Sequence, residues 1–133
     1  SEADVTLRCS IAEAWHWRAR AAMLANTVGD NPDSSRVPAA LLSMTRRLPT
    51  AVGLAAQQAK LRGYIDNVVD GDFDVEGAAF GARRDIHNRT LAVASARLAA
   101  LGWVLKRYPW NMPEELLTYA TPVPPLFAPE SEK

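Results

Sequence analysis

Leu91 to Leu105 reads LAVASARLAALGWVL, the most sustained apolar stretch of the chain. Its leucines at 91, 98, 101 and 105, together with Ala94, recur every three or four residues, the period of one face of an α-helix. The spacing predicts a central core helix over about 88–107, capped by Asp85 or Asn88. Pro109 sets its end, because the residue before a proline avoids α geometry.

The same period recurs on the N-terminal side. Ser10-x-x-Glu13 has the form of a capping box, so a helix is expected to start there and to carry Ile11, Ala14, Trp15, Ala19, Ala22 and Met23 on one stripe. Trp17, Ala21 and Leu24 form a second stripe beside it. Asn26 to Ser35, with Gly29, Asn31, Pro32 and two aspartates, reads as a loop. Ser35 is the expected cap of the next helix, with Pro38 in its first turn and Val37, Leu41, Met44 and Leu48 on its apolar face. Pro49 either restarts or kinks that helix. Beyond it Val52, Ala55, Ala56 and Ala59 make one side, Leu54, Leu61 and Tyr64 another, and Gly63 the stop.

Asp66 to Gly81, DNVVDGDFDVEGAAFG, holds three glycines and five acidic residues and reads as a long loop, with Val68 and Val69 able to begin a short extended piece. Pro113 opens a short last helix, and the segment TPVPPLFAP, four prolines in nine residues, excludes helix. The expected architecture is therefore all-α. It is one compact domain over 1–133, a bundle of four to five helices around the central one, with an acidic loop near 66–81 and a Pro-rich tail over 120–133.

Bulk properties narrow the function. Fifteen basic and fifteen acidic residues cancel, which removes the footprint of a general nucleic-acid binder or a polybasic membrane-surface protein. No run reaches the ~20 apolar residues of a membrane span, and Ser1 to Leu7 lacks the apolar core of a signal peptide. The single cysteine, Cys9, cannot close an internal disulfide and fits a reducing, cytoplasmic setting.

Candidate chemistry is sparse. Asp70, Asp72, Asp74 and Glu76 alternate and offer oxygen ligands for a hard cation. Counted from Asp70, however, Val75 and Gly81 occupy the positions where an EF-hand needs glycine and glutamate, so a solvated turn with capping aspartates is the expected reading. His16 and His87 belong to no metal motif, and a Cys9–histidine pairing depends on folding alone. No metal or cofactor is expected. Of the four tryptophans, Trp15 and Trp103 are expected in the core and Trp110 in a loop as a lock or exposed anchor.

Gly71-Asp72-Phe73-x-x-x-Gly77, Arg97-x-x-Ala100-Leu101-x-Trp103, and Trp110 followed by Thr121-Pro122 occur in an order and spacing that resemble the C-terminal half of the mainly bacterial domain-of-unknown-function family DUF 4272. The stretch Arg8 to Arg20 resembles its earlier helix. Ala96, Gly102 and Asn111 stand where that family carries Glu, Asn and Asp. The resemblance implies an α-helical fold and supplies no catalytic residues.

The function expected from these features is a non-enzymatic domain that binds a protein partner, of the kind of a bacterial accessory or toxin-neutralising protein, with no nucleic acid or membrane involved and with homo-oligomers allowed. Asp70, Asp72, Asp74, Glu76 and Trp110 are the candidate contact residues. Arg97, Trp103 and Asp72 are the expected link between the central helix and the loops. The alternatives are a hydrolase or metal-dependent enzyme acting through residues 70–76, and a small-ligand site between the tryptophan-bearing helices, which requires a concave apolar cavity.

Overall fold

Ser1 accepts the backbone N–H of Asp4 at 3.2 Å in a reciprocal capping box, and helix α1 runs from Glu2 to Gly29. The helix therefore starts well before Ser10. Once nucleated at Ser1 it propagates through Ala3, Val5 and Leu7, because each further residue adds one hydrogen bond for one pair of fixed dihedrals. Glu13, expected as a capping partner, is instead buried, and its carboxylate accepts the Cys9 thiol at 3.6 Å. These elements belong to a computed structural model, which describes residues 1–106. The expected last helix, the Pro-rich tail and Trp110 lie outside the described residues.

Helix α2 spans Ala39–Leu61 without interruption, with Pro49 inside it. Pro49 neither restarts the chain nor ends the helix, but the two sides of it differ: the buried residues of α2, namely Val52, Ala55, Ala56 and Ala59, all follow the proline. Met44, expected on the apolar face, is half exposed. The helix ends as a Schellman motif, with the N–H of Gly63 on the Lys60 carbonyl and that of Tyr64 on the Ala59 carbonyl. Gly63 takes φ +76°, the left-handed conformation this cap requires.

The segment expected as an acidic loop folds into a three-stranded antiparallel sheet, β1 (Val68–Val69), β2 (Asp72–Val75) and β3 (Ala78–Ala79), in the order β1-β2-β3. Val69 pairs with Asp72 around Asp70-Gly71, and Val75 pairs with Ala78 around Glu76-Gly77. Both two-residue turns carry positive φ at both positions, 51° and 73° in the first and 53° and 88° in the second, as type I′ hairpins demand. The alternating acids and glycines are thus turn chemistry. The chain is mostly helical, but three α-helices and a small sheet replace the all-α bundle of four to five helices among the described residues.

Helix α3, His87–Val104, follows two single 3-10 turns and has no side-chain cap from Asp85 or Asn88. It packs antiparallel along α1: Asn26 meets His87 at one end, and Cys9 and Ala12 close over Leu98 towards the other. α1 also contacts α2, so it is the central element in place of the helix near 88–107. In the main core, alanines of α1 (Ala14, Ala19, Ala22) and α2 (Ala55, Ala56, Ala59) surround Phe73 and Phe80. Small residues let the helices approach, and the two phenylalanines fill the space, each burial worth roughly 1.5–3 kcal/mol. Trp15 sits edge-on to both rings, at 5.1 and 5.8 Å between centroids, and is half-buried as expected of a core tryptophan. Trp103, expected beside it in the core, is 49% exposed.

One ion pair ties α1 to the sheet. Arg18 donates from Nε and Nη2 to the two oxygens of Asp72 at 2.7 and 2.9 Å, and both side chains are buried. The carboxylate also accepts the N–H groups of Phe73 at 2.7 Å and Gly81 at 2.8 Å. The guanidinium lies 5.1 Å from the Phe80 ring centre, a cation–π arrangement. Burial pushes the Asp72 carboxyl up, but Arg18 and the two N–H groups outweigh it and hold the pKa below the usual carboxylate value. That depression stabilises the fold above the unfolded carboxylate pKa and is lost as pH falls through the folded one.

Removing one partner strands the other in the interior, so Arg18→Met is expected to cost ~3–5 kcal/mol in urea unfolding. Gly81→Ala, whose Cβ would stand 3.0 Å from Arg18 Nη2 and 3.1 Å from Asp72 Oδ2, is expected to cost on the order of 1–2 kcal/mol, because neither atom is free to withdraw. A loss under 0.5 kcal/mol in both variants would show that the pair does not hold the sheet to α1.

Candidate functional site

The four carboxylates singled out in residues 70–76 are placed in one hairpin pair but given separate tasks. Asp70 and Glu76 occupy turn positions, Asp72 is closed in the core against Arg18, and Asp74 accepts the N–H of Gly77 at 2.8 Å. Glu76 reaches Arg83 at 3.8 Å. Among the described residues no three His, Cys, Asp or Glu side chains converge as a metal site. The expected link from Asp72 to Arg97 is corrected: Arg18 takes the carboxylate, and Arg97 stands exposed on α3 without a hydrogen bond or ion pair among the described residues.

The histidines do different work. His87, buried at the start of α3, has Nε2 2.7 Å from the Phe80 carbonyl and Nδ1 3.0 Å from the Asn26 amide nitrogen. These partners assign the tautomer with hydrogen on Nε2, which donates to the carbonyl while Nδ1 accepts from Asn26. The ring also stacks on Phe80 at 4.6 Å. It fastens the ends of α1 and α3 to the turn after β3. His16 is also fully buried, yet neither ring nitrogen has a hydrogen-bond partner among the described residues. Ser95 on α3 is similarly buried, with its hydroxyl unpaired. Cys9 and His16 share α1 seven residues apart and make no bond to each other, so folding has not joined them as nucleophile and base.

A concave surface lies between α1 and α3. A groove of about 780 Å³ opens there, inside the 300–1,000 Å³ range of small-molecule sites. Ile11 and Trp15 of α1 face Val93 and Leu101 of α3 across it, with Ile86 of the turn before α3 at one end. Three cationic side chains, Arg8, Arg89 and Arg97, also line it, and among the described residues the lining contains no carboxylate. Along α3 the lining extends from Arg89 to Leu101, about 18 Å of helix at 1.5 Å per residue. Of the three arginines, the sequence pattern flagged Arg97, for a different contact, and it placed Ile11, Trp15, Ala94 and Leu101 on apolar helix faces. Arg8 and Arg89 were hidden among evenly scattered arginines, because only the antiparallel pairing of α1 and α3 brings them to one opening.

The chain matches no family model, no curated protein and no solved structure. Among the described residues no helix is long and apolar enough to cross a membrane.

Burial, and secondarily the charge of Arg20, lowers the His16 pKa from 6.5 to about 4. The unfolded chain therefore binds the extra proton between these values and the folded chain does not, so stability is fully present above pH 6.5 and falls towards pH 4. A shift of this size corresponds to about 3 kcal/mol. His16→Leu is expected to flatten that slope in urea titrations and, by removing two unpaired nitrogens, to raise stability at pH 7 by on the order of 1 kcal/mol. An unchanged slope would reassign the acid sensitivity to another group. Calcium, magnesium and manganese are each expected to leave the melting temperature unchanged; a saturable rise with any of them would restore a cation role for the 70–76 hairpins.

Proposed function

We propose that this chain is a non-enzymatic binding domain, and that its recognition site is the groove between α1 and α3, where it takes a small ligand. The observation that carries the reading is the groove itself: a concave, largely apolar surface with a few convergent polar groups, standing on two rigid helices. Of the carboxylates at 70–76, which the metal-dependent alternative needs, that of Asp72 is engaged by Arg18 and that of Asp74 by the N–H of Gly77, while Asp70 and Glu76 stand at separate turns. The resemblance to DUF 4272 sits comfortably with this reading, since its Gly71-Asp72-Phe73 and Gly77 build the hairpins that support α1 and its Arg97 faces the groove. The role as a cytoplasmic domain belongs to the same proposal.

A second reading, docking of a protein partner on the same face, is favoured by the exposed apolar side chains Leu7, Val93 and Val104 on α1 and α3. Of the carboxylates at 70–76 Asp72 is closed in the core, while the groove face presents Arg8, Arg89 and Arg97, so a partner docking there is expected to be acidic.

The experiment is a fragment screen by heteronuclear NMR on the whole chain. Saturable ligands are expected to shift the amides of Thr90, Val93 and Arg97. Val93→Trp, at an exposed groove position, is expected to weaken their binding at least tenfold while the melting temperature stays close to that of the parent. Ligands mapping to α2, or binding Val93→Trp unchanged, would remove the groove as the site.

A further inference from the structure

Resting on the groove as the binding site, we infer its ligand class: an organic anion with an apolar body, a carboxylate on an aliphatic chain. Charge complementarity carries the inference. Arg18, Arg36, Arg83 and Arg84 each reach a carboxylate within the fold. Arg8, Arg89 and Arg97 do not, among the described residues, and all three are exposed and line one opening. Their placement along the groove follows from the helix pairing. Leu98 packs on Cys9 and Ala12, so Arg97 and Arg8 stand at the same level, while Arg89 lies eight residues back along α3, towards Ile86 and Trp15.

A guanidinium offers a planar fork of donors that matches a carboxylate with two parallel hydrogen bonds. Between the two cationic levels the wall is apolar: Ile11 and Trp15 on one side, Val93 and Ala94 on the other, with Leu101 one turn beyond Arg97. Alanines at 12, 94 and 100 leave room for a narrow ligand to lie close to both helix backbones. Such a site penalises a cationic head by like-charge repulsion and a neutral head by leaving the guanidinium without a partner. Thr90, one turn from Val93 and Ala94, adds a hydroxyl able to donate to the head group or accept from water beside it.

The test uses the full chain and a series of probes below their micelle-forming concentrations: hexanoate, octanoate and decanoate, with decanol and decylamine as neutral and cationic counterparts. Calorimetry is expected to show saturable binding that strengthens three- to fourfold per methylene, the burial of one CH₂. Decanoate is expected to bind at least tenfold more tightly than decanol, with decylamine weakest, and its affinity to fall with salt. Arg97→Gln and Arg8→Gln, both at exposed positions, are expected to lower decanoate affinity at least fivefold and to leave decanol affinity unchanged, with circular dichroism as the check on folding.

Decanol or decylamine binding as well as decanoate, with shifts still at Val93 and Thr90, would overturn the anion class and leave the groove as the site. Decanoate shifts confined to α2 would overturn both. Absence of any amphiphile binding overturns the class as well. In that event, concentration-dependent shifts at Val93 would identify a second copy as occupant, contacts to residues 107–133 the chain's own segment, and binding of a glutamate-rich helical peptide an acidic protein partner.

Discussion

The Arg18–Asp72 pair is the constraint on which the rest of the structure depends. Asp72 begins β2, and its carboxylate gathers two guanidinium donors from α1, its neighbour's N–H and the N–H of Gly81 beyond β3. One side chain thus determines where the hairpins sit on α1, how the chain leaves the sheet, and the direction in which it enters α3. Four charge-assisted or backbone bonds offset the cost of burying two ions, and the absence of a side chain at Gly81 leaves room for them. With that junction set, Phe73 and Phe80 are delivered into the alanine-lined space between α1 and α2, and His87 closes the corner against Phe80 and Asn26.

The groove is a consequence of the same arrangement. Cys9, Ala12 and Leu98 bring α1 and α3 together on one side, while Ile11, Trp15, Val93 and Leu101 line the open side. An open trough with an apolar interior results. Its arginines were not placed there by a local motif: Arg8, Arg89 and Arg97 come from two helices separated by the whole of α2 and the sheet. Of the acidic run at 70–76, Asp72 is consumed in one buried ion pair and Asp70 and Glu76 stand exposed at the turns, whereas three of the scattered arginines line the groove.

Legibility followed the range of the interaction. The buried stripe Val52, Ala55, Ala56 and Ala59 and the stop at Gly63 were readable because helical period and a left-handed cap are local properties. Val68 and Val69 were readable as an extended start. Asp70-Gly71 and Glu76-Gly77, each two residues long and preceded by a valine, were readable hairpin turns too, but short strands and alternating acids masked them as a long loop. The start of α1 was misplaced because Ser10-x-x-Glu13 and Ser1-x-x-Asp4 both have capping form, and only the formed helix selects between them.

By itself the sequence determined the helical segments around Ile11–Leu24, 52–61 and 91–104, the alanine-rich faces they present and a balanced net charge, because these follow from residue type and spacing along one strand of chain. Only the tertiary structure decided which arginine meets Asp72, that Trp103 faces solvent while Trp15 packs on the core, and that Arg8, Arg89 and Arg97 share an opening. Those outcomes depend on partners tens of residues apart, set by the antiparallel pairing of α1 with α3 and by the need to satisfy one buried carboxylate.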